Sequence, residues 1–273
     1  MTYIIAEIGI NHNGDIGKAG EMIVKAAKAG VDCVKFQKRT PEICVPEEQK
    51  NVMRDTPWGR MTYFDYKKKI EFGKKEYDQI DQFCKELGVK WTASVWDVPS
   101  LDFIKQYDVP FVKIPSACIT DIELLEAVQK SGIPTVISTG MSTLDEVREA
   151  ALILTNIFGA MICNSTYPAP MNELDVSSMK LLKYLFPVQT KIGYSGHEEG
   201  LLPTIVAVSA GAEIIERHVT LDKNMWGTDQ KASLDMQELK QLVYNIRTVE
   251  TILGNTEIKV YPGEEEVKKK LRK

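Results

Sequence analysis

The sequence is poor in histidine, in paired cysteine and in net charge. Only three of its 273 residues are histidine, and its five cysteines (Cys33, Cys44, Cys84, Cys118 and Cys163) are scattered, odd in number and without a CxxC pair. That spacing excludes a disulfide framework and a structural zinc site, and leaves free thiols that act as small apolar residues, none of them read as a nucleophile. Thirty-four basic against 38 acidic side chains give a formal charge of −4. No overall field therefore draws the chain to nucleic acid or to an anionic membrane, and any bound anion must be held by local groups. No apolar run is long enough to span a bilayer, and MTYIIAEIG enters a strand-like run without the basic segment of a secretion signal. The expectation is a soluble, cytoplasmic protein. The first apolar turn, EIGINHNGD, lacks the spaced glycines of a dinucleotide fingerprint, and no HxH or HExxH motif marks a ready metal site.

What is present is alternation. A composition 44% hydrophobic and 26% charged suits one large globular domain or two small ones. Eight runs rich in Ile and Val begin near Ile4 (YIIAEIG), Cys33 (CVKFQ), Lys90 (KWTASVW), Phe111 (FVKIPS), Pro134 (PTVIST), Ala160 (AMICNS), Lys191 (KIGYSG) and Glu213 (EIIERHVT). Each is followed by a segment with helical spacing. A helix is predicted over 122–130, stopped by Gly132, and another over 144–158, capped by Ser142 or Thr143 with Asp145 and Glu146 in its first turn. Eight strand–helix pairs spaced roughly 30 residues apart close most economically into a parallel (β/α)8 TIM barrel, with a doubly wound open sheet as the alternative. This single α/β domain is expected over residues 1–260, with 261–273 a solvated run of mixed charge. One long connection, 38–75, breaks the rhythm; its prolines and aromatics predict an ordered flap over the barrel mouth. Arg39, Arg54 and Arg60 within it are candidates for basic residues that would recognise a phosphorylated acceptor, but are expected to be solvated.

Polar residues crowd the strand ends: Glu7, Lys35, Gln37, Ser94, Lys113, Ser116, Ser138, Asn164, Ser165, Ser195, His197, Glu216 and His218. Lysine is rarely buried unpaired, so Lys35 and Lys113, set in apolar strands, are read as converging on an anion, with Ser116, Ser138 and Ser195 completing a phosphate-like cradle. An ion pair with Glu7 or Glu216 is the competing reading. His197 and His218 end the seventh and eighth strand runs, neighbours in a closed barrel, and could share one divalent cation, Mn²⁺, Fe²⁺ or Zn²⁺, acting as a Lewis acid. His12 lies in the first loop. These residues point to a phosphate-accepting pocket and a metal, without naming a reaction.

In order along nearly the whole chain, IAEIGINHNGD, VKFQ, SVWD, VKIPS, ISTGMS, CNSTYPAP, IGYSGH and ERHVTLD followed by GTDQKASL resemble the sialic acid synthases of the N-acetylneuraminate synthase family. The resemblance implies a metal-dependent condensation of phosphoenolpyruvate with N-acetylmannosamine or a related aldose, giving a nine-carbon 2-keto-3-deoxy acid and phosphate. It implies that His197 and His218 ligate Mn²⁺ and that Lys35, Ser94, Lys113, Ser116, Ser138, Ser165 and Ser195 hold phosphoenolpyruvate. Glu7, Gln37, Tyr167 and Asp229 match positions near the acceptor, Glu7 as a proton carrier and Asp229 also placed for a metal-bound water. Glu7, Lys35, Lys113, His197 and His218 form the implied catalytic set. The chain departs from the family in having Ser94, Val95 and Trp96 for TPF, Ser165 for a frequent asparagine and Gly196 for a frequent aspartate. Typical members continue into an antifreeze-like domain that crosses a dimer, whereas this sequence stops at YPGEEEVKKKLRK. The expectation is a homodimer in which a separate antifreeze-like polypeptide supplies that domain, or an acceptor that does not need it. Two other readings stand: the same chemistry on another or a phosphorylated aldose, and a non-catalytic sugar- or phosphate-binding subunit that needs a partner domain.

Overall fold

Eight parallel strands close into a barrel in the computed structural model, which describes residues 1–272. In chain order the elements are β1 (Tyr3–Gly9), α1 (Ile16–Ala29), β2 (Cys33–Lys38), α2 (Pro41–Cys44), α3 (Glu47–Lys50), β3 (Met53–Thr56), β4 (Gly59–Thr62), α4 (Tyr63–Ile70) and α5 (Lys74–Leu87). They continue as β5 (Lys90–Val95), α6 (Val98–Ile104), β6 (Val112–Ile114), α7 (Ile122–Ser131), β7 (Thr135–Ser138), α8 (Leu144–Ile153) and β8 (Ile157–Cys163). The last are α9 (Met179–Leu185), β9 (Lys191–Gly196), α10 (Leu202–Ser209), β10 (Ile214–His218), α11 (Met236–Leu253) and α12 (Glu265–Leu271). The barrel runs β1, β2, β5, β6, β7, β8, β9, β10 and back to β1, so each strand pairs with the next barrel strand in sequence. All eight apolar runs are barrel strands, and the open-sheet alternative is excluded by the β1–β10 pairing of Tyr3 with Ile214 through Glu7 with His218.

One boundary differs from its sequence reading. Helix α8 stops at Ile153 and not at Phe158, because Leu154 turns to extended backbone and Ile157 already begins β8. The apolar residues that prolong the helical pattern belong to the strand: Phe158 stacks on Phe111 at 5.1 Å and meets Tyr3 edge-on at 5.4 Å.

The two-residue period of a strand divides the barrel interior into layers. Ile5, Cys33, Phe111, Val136, Met161 and Ile214 form a fully buried apolar plug at the N-terminal end. Two residues further along the same strands come Glu7, Lys35, Lys113, Ser138 and Glu216, all buried. Intervening positions such as Ile4, Ala6, Val34 and Ile215 face outward and join the large core beneath the helices. The plug closes one end, so polar chemistry opens only at the other.

The connection between β2 and α5 is ordered, holding α2, α3, the antiparallel β3–β4 hairpin and α4. Tyr66 and Ile70 of α4 pack on Ile10 of the first loop with Trp226 of the last, which seats this flap beside the barrel mouth. Residues 251–272 are exposed throughout, α12 included, and Lys273 lies outside the described residues. Among the described residues no helix is long and apolar enough to cross a membrane.

A buried network fixes β9 against β10. Arg217 donates through Nη1 to Glu198 Oε1, Gly200 O and Thr204 Oγ1, each at 2.9 Å, and through Nη2 to Glu198 O at 2.7 Å. Tyr194 donates to the second oxygen of Glu198 at 2.6 Å. Gly196 sits inside this network: a Cβ there would stand 2.5 Å from Glu198 Oε2 and 2.7 Å from the Tyr194 ring, so no side chain fits where the family often has aspartate. Breaking such a pair strands a buried carboxylate, and Arg217→Met is expected to cost about 3–5 kcal/mol in urea unfolding. An unchanged midpoint would show that the network does not hold the two strands together.

Candidate active site

The C-terminal ends of the barrel strands surround one cavity. It is lined by Glu7, Lys35, Gln37, Ser94, Lys113 and Ser116. The other half of its wall brings in Ser138, Ser165, Tyr167, Ser195, His197 and His218. Every site residue singled out from the sequence is therefore on this wall except Asp229, whose carboxylate stands 3.9 Å from His218 Nδ1.

At the base, the charges form a chain. Lys35 Nζ lies 2.8 Å from Glu7 Oε2 and 3.6 Å from Glu216 Oε1, and donates to Ser94 Oγ at 2.7 Å. Lys113 Nζ reaches the other Glu216 oxygen at 3.1 Å, and Ser195 donates to Glu216 Oε1 at 3.2 Å. The ion-pair reading of the lysines is thus present, with Glu216 between them. Glu216 was not assigned a site role from sequence, although its place two residues before His218 on an alternating strand puts it on the inner face. Trp96, two residues beyond Ser94, and Cys163, two beyond Met161, line the cavity by the same periodicity.

Burial and pairing set the charges. Burial pushes Glu216 up, but Lys113 and Lys35 outweigh it and hold the carboxyl at about 2. Burial, helped by the like charge of Glu216, wins at Glu7, which is held above the ordinary carboxylate range despite Lys35. Burial lowers Lys113 in spite of Glu216, whereas at Lys35 the two carboxylates overcome burial and raise it. Glu7 is the group in this cluster best suited to carry a proton near neutral pH.

The serine wall comes from close backbone approach. Gly140 N–H donates to Ser116 Oγ at 3.0 Å, and a Cβ on Gly140 would fall 2.3 Å from Ser165 Oγ, so the turn after β7 needs glycine to bring the hydroxyls together. Ser138 Oγ is buried without a hydrogen-bond partner. A buried hydroxyl left unpaired on a cavity wall is a group waiting for a ligand oxygen.

His197 and His218 stand side by side, ring centres 5.3 Å apart, because β9 and β10 pair Gly196 with Arg217. Nδ1 of His197 lies 2.5 Å from the Asn164 carbonyl, which makes Nδ1–H the donor and leaves Nε2 to accept from Tyr167 OH at 2.9 Å. Nδ1 of His218 is buried without a hydrogen-bond partner, and burial drives this imidazole down to about 3, so it is neutral. Burial lowers His197 too, but Cys163 and the Asn164 carbonyl outweigh it and hold this imidazole above the ordinary histidine value. One imidazole oriented by a backbone carbonyl and one neutral imidazole with an orphaned nitrogen fit a divalent cation, which would take the place of the proton on His197. Among the described residues no group of three His, Cys, Asp or Glu side chains forms a ready cage, so two histidines would leave the other positions to water or substrate. His12 is elsewhere: it stacks on Phe72 at 3.9 Å and accepts the Gly14 N–H at 3.0 Å.

The flap corrects one expectation. Arg54 and Arg60 are exposed, but Arg39 is half-buried: its guanidinium lies 4.0 Å over the Trp96 ring and donates to Gln37 Oε1. The neighbouring tryptophan supplies a flat face that a chain-order reading did not pair with it.

The NeuB family profile matches residues 22–258. The chain is 37% identical, over 99% of its length and 76% of the other's, to N-acetylneuraminate-9-phosphate synthase of Mus musculus. It is 34% identical to N,N'-diacetyllegionaminic acid synthase of Legionella pneumophila, over 94% of this chain and 74% of that one. In structure it matches the N-acetylneuraminic acid synthetase of Leptospira borgpetersenii, crystallised with citrate, with a TM-score of 0.86 and 33% identity over 100% of this chain and 93% of that one.

Proposed function

Because this chain belongs to the NeuB family, whose named members here are sialic and related nonulosonic acid synthases, we propose that it condenses phosphoenolpyruvate with an aldose to a 2-keto-3-deoxy acid and phosphate. The observation that carries this reading is the pairing, in one cavity, of two buried lysines and an unpaired Ser138 hydroxyl with two histidines side by side. An anion and an electrophile are thereby given separate places in one cavity.

Lys35, Lys113 and the serines 94, 116, 138, 165 and 195 would bind the phosphate and carboxylate of phosphoenolpyruvate by charge-assisted hydrogen bonds. With Glu7 and Glu216 ionised, the two lysines are already balanced. A proton on Glu7 therefore favours anion binding, which suits the raised carboxyl. His197 and His218 would hold a divalent cation, Mn²⁺ in our reading, which when bound supplies Lewis-acid polarisation of the aldehyde oxygen. Tyr167 and Gln37 orient the acceptor, and Asp229 accepts from a water beside His218. The methylene carbon of phosphoenolpyruvate then forms the new bond to the aldehyde carbon. Water adds to the cation left at its C2, Glu7 handles the proton exchanged in that addition, and the tetrahedral centre expels phosphate. Phosphoenolpyruvate adds three carbons, so C6 of a hexose becomes C9 of the product; a 9-phosphate, as in the mouse relative's name, corresponds to an acceptor phosphorylated at C6.

The test is phosphate release from phosphoenolpyruvate by purified protein, with Mn²⁺ or with chelator, against N-acetylmannosamine, mannose and their 6-phosphates. Release that requires both the metal and one sugar is the expected result. Equal rates without sugar would overturn the reading.

A further inference from the structure

A second recess adjoins the main cavity and shares Trp96 with it. Its walls come from the flap and include Arg39, Cys44, Tyr63, Lys67 and Glu71. Two cations in it lack a carboxylate partner. Arg39 lies on Trp96 with Nε buried and unpaired, and makes no ion pair among the described residues. Lys67 likewise has neither ion pair nor hydrogen bond among them; its ammonium sits 5.2 Å from the Tyr63 ring and 5.3 Å from the Tyr66 ring. Most other lysines of this region are paired: Lys50 with Glu47, Lys68 with Glu42 and Lys74 with Asp78.

The one carboxylate in the recess does not neutralise them. Glu71 is engaged by Lys38 at 2.8 Å and by the Arg39 backbone N–H at 2.9 Å, so Lys38 balances its charge and Arg39 and Lys67 remain in excess. Burial, with the like charge of Arg39, lowers Lys67 to about 7 against the weaker pull of Asp229 and Glu71, neither of which forms an ion pair with it. The recess also faces the acceptor side. Gln37 accepts from Arg39 and donates to Glu7 at 2.9 Å, and Asp229, beside His218, is near enough for its charge to act on Lys67.

We propose that Arg39 and Lys67 form a second anion subsite, separate from the lysine and serine cradle, which takes a phosphate monoester at the far end of the acceptor aldose. The planar fork of arginine suits two phosphate oxygens, and lysine adds a point charge at the third. A dianion there supplies the counter-charge both groups lack and keeps Lys67 protonated. This inference rests on the condensation proposed above.

The experiment compares kcat/KM for N-acetylmannosamine and its 6-phosphate at saturating phosphoenolpyruvate and Mn²⁺, in wild type, Lys67→Gln and Arg39→Gln. Wild type is expected to favour the 6-phosphate at least about tenfold. Each variant is expected to lower that preference about tenfold through the KM of the phosphorylated sugar, with the KM of phosphoenolpyruvate held within about twofold. Lys67 is only partly buried, lies outside the apolar core and makes no ion pair or hydrogen bond among the described residues, so its replacement guards against a folding artefact at Arg39. A wild-type preference for the unphosphorylated sugar, or an unchanged ratio in both variants, overturns the subsite and leaves the condensation standing. Absence of turnover with either sugar overturns the condensation, and the subsite with it.

Discussion

Lys113→Met is expected to lower phosphate release from phosphoenolpyruvate by about two to three orders of magnitude, the loss typical of one preorganised donor to a reacting anion. Lys113 is buried at the barrel axis with Glu216 as its one ion-pair partner among the described residues, and the nearby cation, Lys35, is already held by Glu7 and Ser94. Lys113→Arg is expected to recover little, because a broad guanidinium must fit where a compact ammonium stands in a closed barrel. A folding control is built into the same residue. Glu216 is held at about 2, below its unfolded value, so it contributes stability above about pH 4.5 that is lost as pH falls towards 2. With Lys113 gone the carboxyl moves up, and the variant should lose less stability over that acid window than wild type. Wild-type turnover in folded Lys113→Met would remove the anion cradle from the mechanism.

Replacing either His197 or His218 by glutamine is expected to cost about a thousandfold in metal-dependent phosphate release and to weaken Mn²⁺ binding measured directly by titration. The two side chains are not equivalent. His197 is oriented by the Asn164 carbonyl and covered by the Tyr167 ring at 4.0 Å, whereas the His218 ring has an orphaned nitrogen beside Asp229. Tyr167→Phe keeps the stacked ring but removes the hydroxyl from His197 Nε2, so it should bind Mn²⁺ at least as tightly as wild type while both glutamine variants bind it more weakly. Full activity of the glutamine variants in the presence of chelator would exclude the histidine pair as a metal site.

Much of this was legible in the chain because the signals are periodic. Alternation along β1, β2 and β10 puts Glu7, Lys35 and His218 on one face and Ile4, Val34 and Ile215 on the other, and eight such strands in order leave little choice but a closed barrel. The same periodicity carried Glu216 and Trp96 inward, yet a lone glutamate or tryptophan at a strand end has many uses, and only its neighbours choose among them.

The sequence by itself determined the strands, their order and which side chains point into the barrel, since these follow from the two-residue period and from burial of branched apolar residues. The tertiary structure alone decided how the buried charges are shared, because Glu216 meets Lys113 across 103 positions of sequence. It also decided that Arg39 is half-buried against Trp96 and that His197 presents Nε2, through the Asn164 carbonyl, to the cavity. Pairing, tautomer and burial depend on distances between groups remote in the chain, and those distances exist only once the barrel has closed.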